Sequence, residues 1–298
     1  MTDVDPRAQQ LFLTDGRVRR RRIVNRVMEG LATVASATAV AVLVIVVVSV
    51  VRNGWPALNA NFFTTSPSFS AFGESQGGIL SSIVGSVILV AFATLFAVPV
   101  GVLGAIFVSE LAPRRLANVV RLALDVINGL PTIVTGIFVF SALVLAQGQS
   151  ALAGSLALAI IALPLIARST QEVLRLVPSS YREAGLALGA PRWRTVVGII
   201  LPTSLGGILT GTTLAVARVA GETAPLLFTT SLAATTVTWD PTQPVQSMPL
   251  TIFQYAEQPD PSFHTKAWAT GAVLLFFVLL VSLASKFFLA RARRKLSG

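Results

Sequence analysis

The segment ARVAGETAPLLFT, Ala217 to Thr229, places Arg218 and Glu222 at the end of a long apolar run. If the helix continues through them, their spacing of four puts both on one face, where they neutralise one another. A charge deep in a bilayer is costly, so such an arginine faces a bundle interior, a partner or a wet pathway. Two roles fit: an ion pair that only fixes packing, or a guanidinium lining a pathway, where five donors in a planar fork suit an oxyanion. Arg168, in ALPLIARSTQEV, is a second such cation. It lies about one and a half to two helical turns from the span's exit near Leu174, within snorkelling reach of the headgroups. Asp125 and Asn128, just ahead of Gly129 and Pro131, are further candidates for a pathway role.

Other chemistries are excluded by what the chain lacks. It contains no cysteine and one histidine, His264, so thiolate metal sites, Cys nucleophiles and most imidazole chemistry are absent. No acidic cluster or His-x-x-x-His pair offers a metal site, and no Ser, His and Asp set shares a plausible face. The lysines are Lys266, Lys286 and Lys295, and none follows a glycine-rich phosphate loop. The expectation is therefore a chain with no cofactor and no catalysis of its own.

The elements that must position these residues are membrane spans. Of 298 residues, 53% are hydrophobic and 12% charged, against about 25% charged in soluble domains. Apolar runs predict six spans, at about 30–51, 78–109, 117–146, 151–174, 196–224 and 267–289. The first is too long and Val-rich for a signal peptide and reads as a retained helix. Arginines crowd residues 17–26, 114–121, 168–194 and 291–294, so the positive-inside rule places both termini in the cytoplasm. The net charge of +10 is then topology, not affinity for nucleic acid. Prolines recur inside or at the ends of the spans, at Pro99, Pro131, Pro164, Pro202 and Pro225, where broken helices expose backbone groups that can line a cavity. The outside loops, 52–77 and 229–266, carry Trp55, Phe62, Phe63, Trp239, Phe253 and Tyr255, with Trp268 just beyond, as expected of an interfacial aromatic layer, and an interfacial helix is predicted around Met248–Glu257.

Between the fourth and fifth spans, VPSSYREAGLALGAPRWRTVVGIILP (177–202) has helix signals of its own. Ser180 with Glu183 predicts a capping box, Gly189 a C-terminal stop and Pro191 the opening of a new helix. Ala184, Leu186, Ala187 and Leu188 give it an apolar contact surface, ringed by Arg182, Arg192, Trp193 and Arg194. The run Glu183, Ala184, Gly185, then Gly189, then Ile199, Leu201 and Pro202 resembles the EAA loop of ABC importer permeases, with Gly185 where a second Ala is usual. Further stretches, GGILSSIVGSVILVAFATLFAVPVGVLGAIFVSEL (77–111), LDVINGLPTIVTGIFVF (124–140), ARVAGETAPLLFT (217–229) and SMPLTIFQYA (247–256), resemble the permeases of phosphate ABC importers over roughly residues 70–290.

That resemblance implies an all-α integral membrane protein of the cytoplasmic (inner) membrane, with six transmembrane helices and the type I importer permease fold. It implies a basic segment at 1–29, a first transmembrane helix and outer loop at 30–77, a permease domain at 78–290 with its coupling loop at 177–202, and a basic tail at 291–298. It also implies that Arg218, Glu222 and Arg168 line a phosphate pathway. Arg182, Glu183, Ala184, Gly185, Leu186, Gly189 and Arg192 would couple to a separate ATPase. The implied partners are a related permease (PstC-like) forming a heterodimer, a PstB-like ATPase dimer, a PstS-like phosphate-binding protein, inorganic phosphate and membrane lipid. A permease for another oxyanion or a small solute, a channel or secondary transporter working alone, and a membrane scaffold are the alternatives; the coupling loop opposes a lone transporter, and the buried charges oppose a scaffold.

Overall fold

A computed structural model describes residues 15–69, 75–232 and 234–296. Its contacts divide the chain into two units, residues 1–52 and 53–298. In the first, the described residues belong to one helix, α1 (Asp15–Gly54), which as a single helix has no core of its own. The second holds α2 (Ala60–Thr64), α3 (Leu80–Ile106), α4 (Arg114–Gly129), α5 (Thr132–Val139), α6 (Ala151–Arg175), α7 (Ser179–Ala187), α8 (Arg192–Thr195), α9 (Leu201–Val219), α10 (Leu226–Thr229), α11 (Met248–Ala256) and α12 (Pro261–Leu296). The all-α expectation holds, with one addition: Pro67–Phe69 and Ser75–Gly77 pair as a short antiparallel hairpin.

Among the described residues, five helices are long and apolar enough to cross a membrane, and the sixth predicted span is a bent pair. The run expected at 117–146 is not one helix: α4 and the helix of 132–147 meet at 99°. Pro131 cannot donate to the ladder and forces Leu130 out of the helical region, to ψ 139°. Pro99 and Pro164, by contrast, sit inside helices that run on through them.

Helix α6 is the hub against which α3, α9, α4 and α5 pack. Its N-terminus is capped by Ser150, whose side chain accepts from Ala153 N–H. The core between α3 and α6 is built from small and branched residues, among them Leu89, Ala93, Ala97, Leu158, Ala162 and Ile166. Against α9 the approach is closer still. A Cβ on Gly207 or Gly211 would fall 2.6 Å from Val173 and 2.5 Å from Ser169, so this small-xxx-small pair lets the two backbones close up.

Several turns widen to the i→i+5 pattern, at Phe107–Leu111, Phe140–Val144 and Val196–Ile200. The last runs directly into Leu201 and Pro202, so the donor that Pro202 lacks is missing where the helix has already loosened.

Candidate functional site

The helix carrying Arg218 stops one residue later, at Val219, and residues 220–225 turn before α10 begins. Glu222 is therefore beyond the helix end, and the shared helical face expected for the pair does not exist. The i, i+4 rule presumes continuing helix; here Gly221 and Pro225 interrupt it. Among the described residues neither Arg218 nor Glu222 makes an ion pair, and Arg218 is exposed on this chain. As the basic residue of the last turn, Arg218 sits where the helix dipole favours a cation. The turn itself is held against α5, where a Cβ on Gly136 would lie 2.6 Å from the Pro225 backbone.

Arg168 does not snorkel alone. Its Nη2 pairs with Asp125 Oδ1 of α4, and both side chains remain partly open to the surroundings. Arg168 adjoins Ser169, which faces Gly211; Arg218 lies seven residues further along α9, roughly 10 Å away by helical rise. The two arginines are thus on neighbouring helices but at different depths. Asn128 is exposed.

The segment 177–202 forms the predicted helix, turn and re-entry, with one difference at its start. Helix α7 begins at Ser179 with Pro178 in the cap position and no side-chain cap, so Ser180 is already inside the helix and the capping box with Glu183 does not form. Its end is as expected: Gly189 adopts φ +74°, Gly189 N–H donates to Leu186 O (2.9 Å) and Ala190 N–H to Gly185 O (3.0 Å). These are the two bonds of a Schellman stop. Pro191 then caps α8, one place earlier than expected.

Glu183, Ala184, Leu186, Gly189 and Arg192 are exposed, forming an open face. Gly185 is buried, and a Cβ there would meet Thr195 Oγ1 at 2.4 Å. Glycine in place of the usual alanine is thus a packing requirement rather than a mere exchange of similar sizes. Arg182 is turned inward. Its Nε and Nη2 donate to both oxygens of Glu110 (2.9 and 2.6 Å), Nη2 also to Leu174 O (3.0 Å), and Nη1 to Val177 O (2.9 Å). The Glu110 hydrogen bonds push the Arg182 pKa further up, so the guanidinium stays charged. Beside it lies a cavity of about 280 Å³ lined by Ser109, Glu110, Leu186, Arg192 and Thr195.

Sequence reasoning missed Glu110, whose only signal was a lone carboxylate closing an apolar run. It also missed a polar seam at the other end of α3. There Ser82 Oγ meets Thr251 Oγ1 (2.6 Å), Met248 N–H donates to Ser86 Oγ (2.8 Å), and Gln246 Nε2 bonds Gln254 (2.9 Å) and Leu232 O (3.2 Å). The helix predicted around Met248–Glu257 forms as α11, with Met248, Leu250, Thr251 and Tyr255 buried in the protein and Phe253 exposed. Phe62 likewise belongs to the core, whereas Trp55, Trp239 and Trp268 stay exposed as an aromatic layer requires.

Residues 97–297 match the family described as binding-protein-dependent transport system inner membrane component. The phosphate transport system permease protein PstA of Haemophilus influenzae is 35% identical over 90% of this chain and 94% of its own length. That of Xylella fastidiosa is 38% identical (92% and 95%), and PstA 1 of Mycobacterium tuberculosis 33% (93% and 92%). In fold, the chain is similar to a structure of the MetNI methionine ABC transporter in inward-facing conformations, with TM-score 0.55 and 19% identity over 71% of this chain and 93% of that one. An amino acid ABC transporter gives TM-score 0.54 and 16% identity over 71% and 92%. With its multiple apolar spans, the family match over residues 97–297 and these relatives, the chain belongs to the binding-protein-dependent transport system inner membrane components.

Proposed function

We propose that this chain is a permease subunit of an ATP-driven phosphate importer, contributing half of the translocation pathway in the inner membrane. The observation that carries the reading is identity of 33–38% to phosphate transport permeases over at least 90% of the chain. Both termini face the cytoplasm, following the arginine distribution. A related PstC-like permease completes the pathway, a PstB-like ATPase dimer docks on the open face of α7, and a PstS-like protein delivers phosphate from outside.

The chemistry asked of this chain is to pass a doubly charged anion through a low-dielectric layer without holding it tightly. Arg218 suits that task. Its guanidinium is spared an internal carboxylate, is favoured by the dipole at its helix end, and offers charge-assisted hydrogen bonds to phosphate oxygens. Arg168 is already neutralised by Asp125 and contributes positive potential only when that pair loosens. Glu222, set beyond the helix end by the turn, makes no ion pair with Arg218 and leaves its guanidinium to the anion. Closure of the ATPase dimer on ATP displaces α7, the bundle opens outward to receive phosphate, and hydrolysis reverses the motion, as a shift between two states with different partner contacts.

ATP-dependent uptake of radiolabelled phosphate by the reconstituted complex tests this, with wild type set against Arg218→Ala and Arg218→Lys. Loss of uptake in both variants, with assembly and ATP hydrolysis retained, is the expected result. Undiminished uptake in Arg218→Ala removes this residue from the pathway.

A further inference from the structure

Helix α7 is attached to the bundle in two different ways. Gly185 rests on Thr195 by van der Waals contact, which resists compression and nothing else. Arg182 instead makes a bidentate, charge-assisted pair with Glu110 and two further bonds to the Leu174 and Val177 carbonyls. Such a fork holds its geometry under push and pull alike. Glu110 lies in the widened turn that closes α3, and its side chain is only 7% exposed. From Glu110, α3 runs back to Ser82, roughly 40 Å at helical rise. There the Ser82, Ser86 and Thr251 contacts fasten it to α11, and Gly85 lies so close to the Gln246 carbonyl that a Cβ would come within 1.9 Å. Both ends of α3 are therefore fixed by polar contacts, one to the coupling helix and one to the segment that closes the opposite end of the bundle.

We propose that Arg182 and Glu110 are positioning residues that form a permanent two-way link, carrying coupling-helix movement into α3 and so to the 246–251 segment at the outer face. The link acts through α3 and touches neither phosphate nor ATP. It explains why an arginine within the coupling helix is turned away from the open face, and why a carboxylate is retained at the end of an apolar helix. The inference rests on the importer reading above.

The test is the number of phosphate molecules taken up per ATP hydrolysed, in the complete reconstituted complex. Glu110→Gln and Arg182→Lys are each expected to keep the ATPase bound and hydrolysing while that ratio falls at least about tenfold, the scale of a lost charge-assisted bond. A role confined to folding would lower thermal stability and assembly but leave the ratio of the assembled fraction unchanged, and an unchanged ratio overturns the proposal. Because the chain has no cysteine, Glu110→Cys with Arg182→Cys, joined by a short bis-thiol linker after assembly, gives an independent readout. Uptake that recovers on linking supports a permanent link; a linked complex that hydrolyses ATP without uptake means the pair must open during the cycle, and sinks it. A wild-type complex that takes up no phosphate refutes the importer reading instead, which the ratio alone does not address.

Discussion

Gly185 and Thr195 touch so closely that a methyl group on the glycine would stand 2.4 Å from the Thr195 hydroxyl and 2.6 Å from its methyl. Thr195 is buried, and its hydroxyl has no hydrogen-bond partner among the described residues. Gly185→Ala is therefore expected to destabilise by about 1–3 kcal/mol through overpacking, and to weaken ATPase attachment by tilting α7. Thr195→Ala removes both clashing atoms and leaves only Cβ, at 3.1 Å. The double variant should thus recover most of the loss. Thermal melting and ATPase co-purification across the four proteins of the cycle measure this, and a double variant no better than Gly185→Ala alone contradicts the contact.

Two glycines of the same helix should respond oppositely to alanine. At Gly85 the new Cβ would fall 1.9 Å from the Gln246 backbone carbonyl, which has no flexible end to yield, whereas at Gly104 nothing lies within 4 Å. Gly85→Ala should cost about 3 kcal/mol or more and separate α11 from α3. Gly104→Ala should be neutral or gain up to about 1 kcal/mol from helix propensity. Melting temperatures of the two variants, measured side by side, decide it.

What the sequence made legible was local. The Gly189 stop needs only a positive φ and two bonds within six residues and could be read directly; the break at Pro131 could not, because Pro99 and Pro164 lack the same N–H inside helices that run on through them. The 99° size of that bend depends on what α4 and α5 pack against, and no spacing rule supplies it. The Arg218 and Glu222 pairing failed because a local rule was carried across a helix end, although Gly221 and Pro225 stood in plain view. Arg182 with Glu110, 72 residues apart, and Ser82 with Thr251, 169 apart, were beyond reach, since pairing over such separations is fixed by how whole helices pack.

The two arginines of α6 and α9 should differ in consequence. Arg168 is paired with Asp125 in a partly exposed setting, where such pairs contribute roughly 0.2–1 kcal/mol. Arg168→Ala is therefore expected to reduce phosphate uptake less than Arg218→Ala does. Asp125→Asn, by releasing Arg168, should alter the KM for phosphate delivery more than stability. Uptake kinetics for the three variants in one reconstituted system test the order. An Arg168→Ala defect as deep as that of Arg218→Ala would place both side chains on the anion.

Tyr255 gives the outer segment an alkaline limit. Its ring is buried against Phe263 (centroids 5.4 Å apart), and burial pushes its phenol from 10.0 up to about 12. Because the folded-state value lies above the unfolded one, the phenol's contribution is complete below about pH 10 and is lost as pH rises through about 12. Two units correspond to about 3 kcal/mol at most. The chain has two tyrosines, so in a Tyr181→Phe background the tyrosinate absorbance reports Tyr255 alone. It should appear near pH 12, together with loss of the folded state rather than before it. Tyr255→Phe has no proton to lose and should keep its melting temperature across that interval. If it instead falls as steeply as the Tyr181→Phe parent, a different group sets the alkaline limit.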